Sequence, residues 1–179
     1  MTTIQVHGKT FKSYIPEKDV LAAVDSLAQK INHDYKGKKP LLIGVLNGSF
    51  MFIADLFKSL TIEAEIAFVR LKSYEGMESS GNVKTAIGLD VDLEGRDVIL
   101  IEDIVDTGKT LHEFLPVLKS MNPASLRIAT LLHKPEALKY DIQIDYCCFN
   151  VPVIFLLGYG LDYDGLGRNS RDILQLVTD

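Results

Sequence analysis

Val98-Ile99-Leu100-Ile101-Glu102-Asp103-Ile104-Val105-Asp106-Thr107-Gly108-Lys109-Thr110 is the stretch from which the rest of the chain is read. Its four consecutive aliphatics, Val98 to Ile101, suit a strand buried on both faces. Glu102 and Asp103 interrupt that run, Asp106 follows, and Thr107 to Thr110 are small or polar. Leu111, Phe114, Leu115 and Leu118 then recur at helical spacing. The pattern predicts strand, acidic loop, helix. Ligands of open α/β sheets bind outside the carboxyl ends of the strands. Backbone N–H groups of a turn entering a helix are poised for phosphate. An anion cradle behind three carboxylates implies a ligand with a phosphate at one end and hydroxyls, or a metal ion, at the other.

Two plainer readings compete. Gly108-Lys109-Thr110 invites a nucleotide-binding P-loop, but G-x-x-x-x-G-K-T needs glycine at 103, where Asp103 stands. A carboxylate inside a phosphate nest would repel the ligand, which excludes that motif. The other reading is an ordinary strand-to-helix turn in which Asp106 or Thr107 caps the helix. Capping explains one of those residues, but not Glu102 and Asp103 side by side after four aliphatics.

Ile101 to Thr110 resembles the phosphoribosyl pyrophosphate (PRPP) motif of type I phosphoribosyltransferases, and the surrounding sequence is most similar to the hypoxanthine (hypoxanthine-guanine) phosphoribosyltransferases. The resemblance implies that Glu102 and Asp103 hold the ribose hydroxyls, directly or together with a metal ion. It gives Asp106, Thr107, Gly108, Lys109 and Thr110 the 5′-phosphate, and makes Asp106 the base near N7 of the purine. Further matches span residues 40 to 171.

Composition agrees with a small enzyme. The 179 residues suffice for one domain, 1–179, with a proper core. The chain is 47% hydrophobic and 24% charged, as soluble globular proteins are. Its net charge of −5 argues against a nucleic-acid surface, which is usually basic. No leader pattern precedes the first expected strand, and no apolar run reaches the ~20 residues of a membrane span. Cys147 and Cys148 are adjacent, which offers no disulfide framework and points to the cytoplasm. His7, His33, His112 and His133 show no ligand spacing, so no zinc site is expected.

In chain order, residues 4–14 predict a short hairpin turning at His7-Gly8-Lys9. Pro16 suits the first turn of a helix striped by Val20, Val24, Leu27 and Ile31, with Gly37 at its end. Leu41–Leu46 is the first core strand, running into Asn47-Gly48-Ser49 and a helix to about Leu60. Glycine there can simply permit the turn. In the resembling family this loop contacts pyrophosphate, often through a lysine or arginine where Asn47 stands. Here the cation is missing, leaving the amides of Gly48 and Ser49 as anion donors.

Ile62–Leu71 predicts a second strand, with Ile66 and Phe68 alternating against Glu65 and Ala67. Residues 72–84 are polar and longer than a usual hairpin loop, as lids beside sites are. Ser73 and Tyr74 resemble the start of the family's catalytic loop, and Val83–Leu89 would be its return strand. A lid matters because water would capture an oxocarbenium-like ribosyl centre. Pro116 predicts a bend in the helix after the central motif. Leu126–Leu132 is the next buried strand, Ile144–Phe149 and Val153–Leu157 the last two. By the resemblance, Lys134 donates to O6 of the purine, Phe155 stacks on it and Leu156 offers backbone contacts. Asp162 would bind Mg2+ that also touches pyrophosphate, and Arg168 matches the pyrophosphate arginine, although Gly167, Asn169 and Ser170 around it depart from the usual pattern.

The expected architecture is α/β, with a mostly parallel central sheet flanked by helices and a small hood from the N- and C-terminal segments. The topology and the reaction follow from the resemblance: 5-phosphoribosyl transfer from PRPP to hypoxanthine or guanine in a homodimer or homotetramer. Xanthine or a pyrimidine as the base is one alternative. An RNA-binding regulator on the same scaffold is the other, and the acidic balance and the Phe155/Lys134 pair argue against it.

Overall fold

The computed structural model describes residues 3–71 and 88–177. The chain forms strands β1 (Thr3–Val6) and β2 (Lys9–Ile15), helix α1 (Glu17–Asp34), β3 (Leu41–Leu46), α2 (Phe50–Lys58) and β4 (Glu65–Arg70). Then follow β5 (Asp97–Val105), α3 (Lys109–Ser120), β6 (Ser125–His133), β7 (Tyr146–Asn150), β8 (Leu156–Leu157) and β9 (Ile173–Leu176). Five strands make the central sheet in the order β4-β3-β5-β6-β7, every neighbouring pair parallel. The order reverses between β3 and β5, because β3 leads outward through α2 to β4 while β5 leads the other way through α3 to β6. That reversal opens a crevice at the carboxyl ends of β3 and β5, the usual ligand position in such sheets.

Strand alternation divides the core between two faces. Leu42, Ile99, Ile101, Ala129 and Leu131 pack on one face with α1 and α2. Leu41, Ile43, Val45, Val98 and Leu100 pack on the other with Leu111, Phe114 and Leu118 of α3. Val98 to Ile101 are fully buried. Each such side chain contributes roughly 1.5–3 kcal/mol, so this run anchors the floor of the crevice.

The hood is a second sheet, antiparallel, in the order β1-β2-β9-β8. It joins the two ends of the chain around Val6, Phe11, Leu157 and Leu174. It is also tied to the core: Asp172 accepts the Glu17 amide at the start of α1 (2.9 Å) and the Ser13 hydroxyl (2.8 Å).

Several expectations shift. Glu102 and Asp103 belong to β5, not to a loop after it, because Glu102 still pairs with Thr130 and Ile104 with Leu132 in β6. On β4 the inward side chains are Ala67 and Val69. Ile66 and Phe68 remain 39% and 37% exposed, since among the described residues β4 is the outermost strand and α2 does not fully cover it. Pro16 precedes α1 as its N-cap instead of entering the first turn. α3 continues through Pro116. Of the Val153–Leu157 strand only Leu156–Leu157 forms. The expected lid, with Ser73 and Tyr74, and most of its return strand lie outside the described residues; Gly88 and Leu89 lie in no strand. Among the described residues no helix is long and apolar enough to cross a membrane.

Candidate active site

A cavity of about 310 Å3 lies at the carboxyl ends of β3 and β5. Its wall carries Glu102, Asp103, residues 106–110, Gly48, Asp162 and Arg168. Residues drawn from three separate stretches of the chain thus meet in one crevice, because β3, β5 and the segment after β8 end on the same side of the sheet.

The cradle is the turn between β5 and α3. Gly108 sits at the N-cap of α3 with φ +80°, a conformation that costs an L side chain energy. A Cβ there would also press on Leu138 and Ile142, which back the turn from behind. The Thr107 hydroxyl accepts the Lys109 amide (3.3 Å), and Thr107 O accepts the Lys139 amide (3.0 Å). Gly108 at the N-cap has no side chain to offer, and among the described residues the one first-turn amide that is taken, that of Lys109, goes to a hydroxyl and not to a carboxylate. That is the arrangement an anion needs. Of the two residues the capping reading offered, Thr107 does take a first-turn amide and Asp106 does not.

The carboxylates stand in a dry, crowded place. Burial and the neighbouring Asp103 hold the Glu102 carboxyl well above the usual range. Burial likewise pushes Asp103 up to about 6, against the opposing pull of the Ile104 amide, which donates to its carboxylate, of its own amide and of Arg168. Groups held in this way are suited to hydroxyls or a cation, which supply what water no longer does. Asp103 also lies directly over the Gly48 α-carbon, where a Cβ would overlap its carboxylate, and the Gly48 carbonyl in turn abuts Gly160. The loop after β3, the end of β5 and the segment after β8 are thereby locked together. The Leu46–Asn47 peptide in that loop is cis.

Four of the charged residues form two pairs. Asp162 meets Arg168 at 2.8 Å and accepts the Gly165 amide at 2.7 Å, while Arg168 also donates to Gly160 O at 2.6 Å. Lys134 Nζ meets Asp106 Oδ2 at 2.8 Å. Both pairings join residues 6 or 28 positions apart, and nothing in the sequence pattern announces either.

Ser49 is corrected as an anion donor. Its side chain is fully buried, its hydroxyl donates to Val45 O (2.6 Å) and its amide also reaches Val45 O (3.3 Å). Both donors are spent on the preceding strand. Gly48 does reach the cavity wall.

Phe155 and Leu156 lie in or beside the hood, not on the wall of this cavity. Leu156 is buried, whereas Phe155 is 44% exposed. The Phe155 ring is held by Tyr163 (5.4 Å, edge on) and Phe11 (6.1 Å). Tyr163 in turn contacts His7 (5.5 Å) and the Lys9 ammonium (4.9 Å) from the N-terminal hairpin. A sequence pattern flags Phe155 but not the rings that orient it.

Among the described residues no three His, Cys, Asp or Glu side chains form a metal cage. The donors that are present, Asp162 and Asp103 on the cavity wall, fit an ion that takes one or two carboxylates and draws its remaining oxygens from substrate phosphates and water.

The phosphoribosyl transferase domain family matches residues 12–164. The hypoxanthine-guanine phosphoribosyltransferase of Streptococcus agalactiae serotype V is 45% identical over 154 residues, 86% of each chain. The hypoxanthine phosphoribosyltransferase of Buchnera aphidicola subsp. Schizaphis graminum is 46% identical over 157 residues, 86% of this chain and 89% of that one. A crystal structure of a hypoxanthine phosphoribosyltransferase from Staphylococcus aureus superposes with TM-score 0.85 at 37% identity, covering 93% of this chain and 91% of the other.

Proposed function

The chain belongs to the phosphoribosyl transferase family, and from that membership we propose how its own residues carry the reaction. The reaction is purine salvage: the 5-phosphoribosyl group of PRPP passes to N9 of hypoxanthine or guanine, giving IMP or GMP and pyrophosphate. N9 attacks C1′ as the bond from C1′ to the pyrophosphate oxygen breaks, and pyrophosphate leaves with the bonding electrons. The N7 proton passes to Asp106.

One observation carries the assignment: a glycine-led helix start at 107–110 with no capping carboxylate shares a crevice with Glu102, Asp103 and Asp106. The helix start suits the 5′-phosphate, and Glu102 with Asp103 suits the ribose hydroxyls. Gly48 and Arg168 lie where pyrophosphate would leave. Lys134 takes O6, Phe155 stacks on the ring, and Leu156 offers its backbone to the base edge. Asp162, with Glu102 and Asp103 nearby, would hold Mg2+, which when bound neutralises charge on the leaving group. The protein's own part is to orient the two substrates and to accept one proton.

The chain 1–179 works as one unit in the cytoplasm, as a homodimer or homotetramer. Among the described residues β4 is the outermost strand, and its half-exposed Ile66 and Phe68 would suit a second copy.

The test is nucleotide formation from PRPP against hypoxanthine, guanine, xanthine, adenine and uracil, with Mg2+ and with excess chelator. IMP and GMP should form only with the metal, and Asp162→Ala should weaken pyrophosphate binding. Full activity in chelator would remove the metal and Asp162 from the mechanism. Uracil as the preferred base would overturn the purine assignment.

A further inference from the structure

Lys134 and Asp106 serve neighbouring atoms of the purine, O6 and N7, yet in the structure they hold each other at 2.8 Å. We propose that Lys134 gates Asp106: a 6-oxo group must take over the Lys134 ammonium before Asp106 can receive the N7 proton. The inference rests on the purine-salvage reading and adds a step to it.

The pair is fixed from both ends. The Lys134 amide donates to Val105 O (2.9 Å), the carbonyl of the residue before Asp106, so the two backbones are stitched together beneath the side chains. The Lys134 side chain is only 9% exposed, whereas that of Asp106 is 45% exposed. The ammonium is thus screened from water and leans on a carboxylate whose other side is open. Among the described residues Asp106 is the carboxylate that Lys134 pairs with.

A buried ammonium whose partner is removed is left as an uncompensated charge, which is strongly unfavourable. Protonating Asp106 does this, because a neutral carboxyl no longer balances Lys134. The proton from N7 therefore arrives at a cost unless something else accepts from the ammonium at that moment. O6 of an oxopurine is an acceptor on the same ring edge as N7, and lysine is all donor. The paired ammonium and carboxylate thus present a donor and an acceptor side by side to an acceptor and an N–H side by side. When O6 occupies Lys134, Asp106 can become neutral without stranding it.

The consequence separates gating from recognition. If Lys134 only recognises the base, purine lacking any 6-substituent binds weakly and removing the lysine does nothing for it. If Lys134 gates Asp106, that purine is slow in the chemical step, and removing the lysine speeds it.

Single-turnover rates and base affinities, measured separately with hypoxanthine and with unsubstituted purine on wild type, Lys134→Met and Lys134→Gln, decide between them. In wild type the deficit of unsubstituted purine relative to hypoxanthine should fall mainly in the single-turnover rate. Both variants should raise the rate on unsubstituted purine by about tenfold or more and lower it on hypoxanthine. A wild-type deficit confined to affinity, or no gain on unsubstituted purine in either variant, overturns the gate. Lys134→Gln keeps a donor without the charge, so it guards against misfolding in the methionine variant, and the wild-type comparison needs no variant at all. If wild type makes IMP and the gain is absent, only the gate falls. If wild type makes no IMP, the purine-salvage reading falls and the gate with it.

Discussion

The phosphate cradle takes its residues from 102–110, nine consecutive positions that follow the fully buried run Val98–Ile101 of one strand. The hood takes β1 and β2 from the beginning of the chain and β8 and β9 from its end. In the cradle, backbone geometry does the positioning: a left-handed Gly108, a helix start without a capping carboxylate, and a strand that cannot shift without losing four buried aliphatics. In the hood, side chains position one another, as Phe11 and Tyr163 hold Phe155. The two regions meet at Gly48, which touches Asp103 on one side and Gly160 on the other. A substitution in the cradle should therefore strike the chemical step, one at the junction the alignment of the two substrates, and one in the hood only the affinity for the base.

The largest effect belongs to the cradle. Asp106→Asn retains the size of the side chain and removes the proton acceptor, and the single-turnover rate should fall by about 10²–10⁴. An unchanged rate would take Asp106 out of the mechanism. Next comes the junction. Gly48→Ala places a methyl group on the Asp103 carboxylate, and a misplacement of this kind costs on the order of 10² in kcat/KM. Steady-state kinetics with both substrates should show the loss for PRPP and base alike; a loss confined to the base would mean that Gly48 belongs to the hood.

The hood should give a smaller and more selective effect. Phe155→Ala removes a stacking surface worth about 1–3 kcal/mol per base, so KM for hypoxanthine should rise roughly tenfold or more while KM for PRPP stays put. Equal rises in both would show that the ring supports the fold and not the base.

The smallest effect is on stability, and it follows from the Asp103 carboxyl pushed up to about 6. A carboxyl raised in this way binds its proton more tightly in the folded state than in the unfolded chain. Its contribution to stability is fully present below its ordinary value and is lost as pH rises through about 6. Asp103→Asn should therefore be more stable to unfolding than wild type at pH 7.5, by at most roughly 3 kcal/mol in denaturant titration. The gap should close as pH falls toward 4, even though catalysis suffers. A pH-independent difference would mean that the Asp103 charge is already satisfied in the empty site.

The sequence by itself determined the cradle and the alternation of the central sheet. Strand β3 is Leu41–Leu46 as its apolar run predicts, and the turn at 107–110 follows from small residues placed between a buried strand and an amphipathic helix. These are local properties, set by periods of two and 3.6 residues and by the conformations glycine permits. Where the carboxylates stand relative to the strand's end was decided by pairing with β6, which carries β5 on to Val105. The inward face of β4 was decided by its place at the edge, and no alternation in Glu65–Arg70 records that. Ser49 lost both of its donors to Val45 through the local path of the chain after β3. The pairings of Lys134 with Asp106, and of Asp103 with Gly48, join distant positions whose approach only packing fixes. Residue type sets which charges a site contains, but which of them neutralise one another depends on distance and burial, and those exist only once the sheet and the hood have closed.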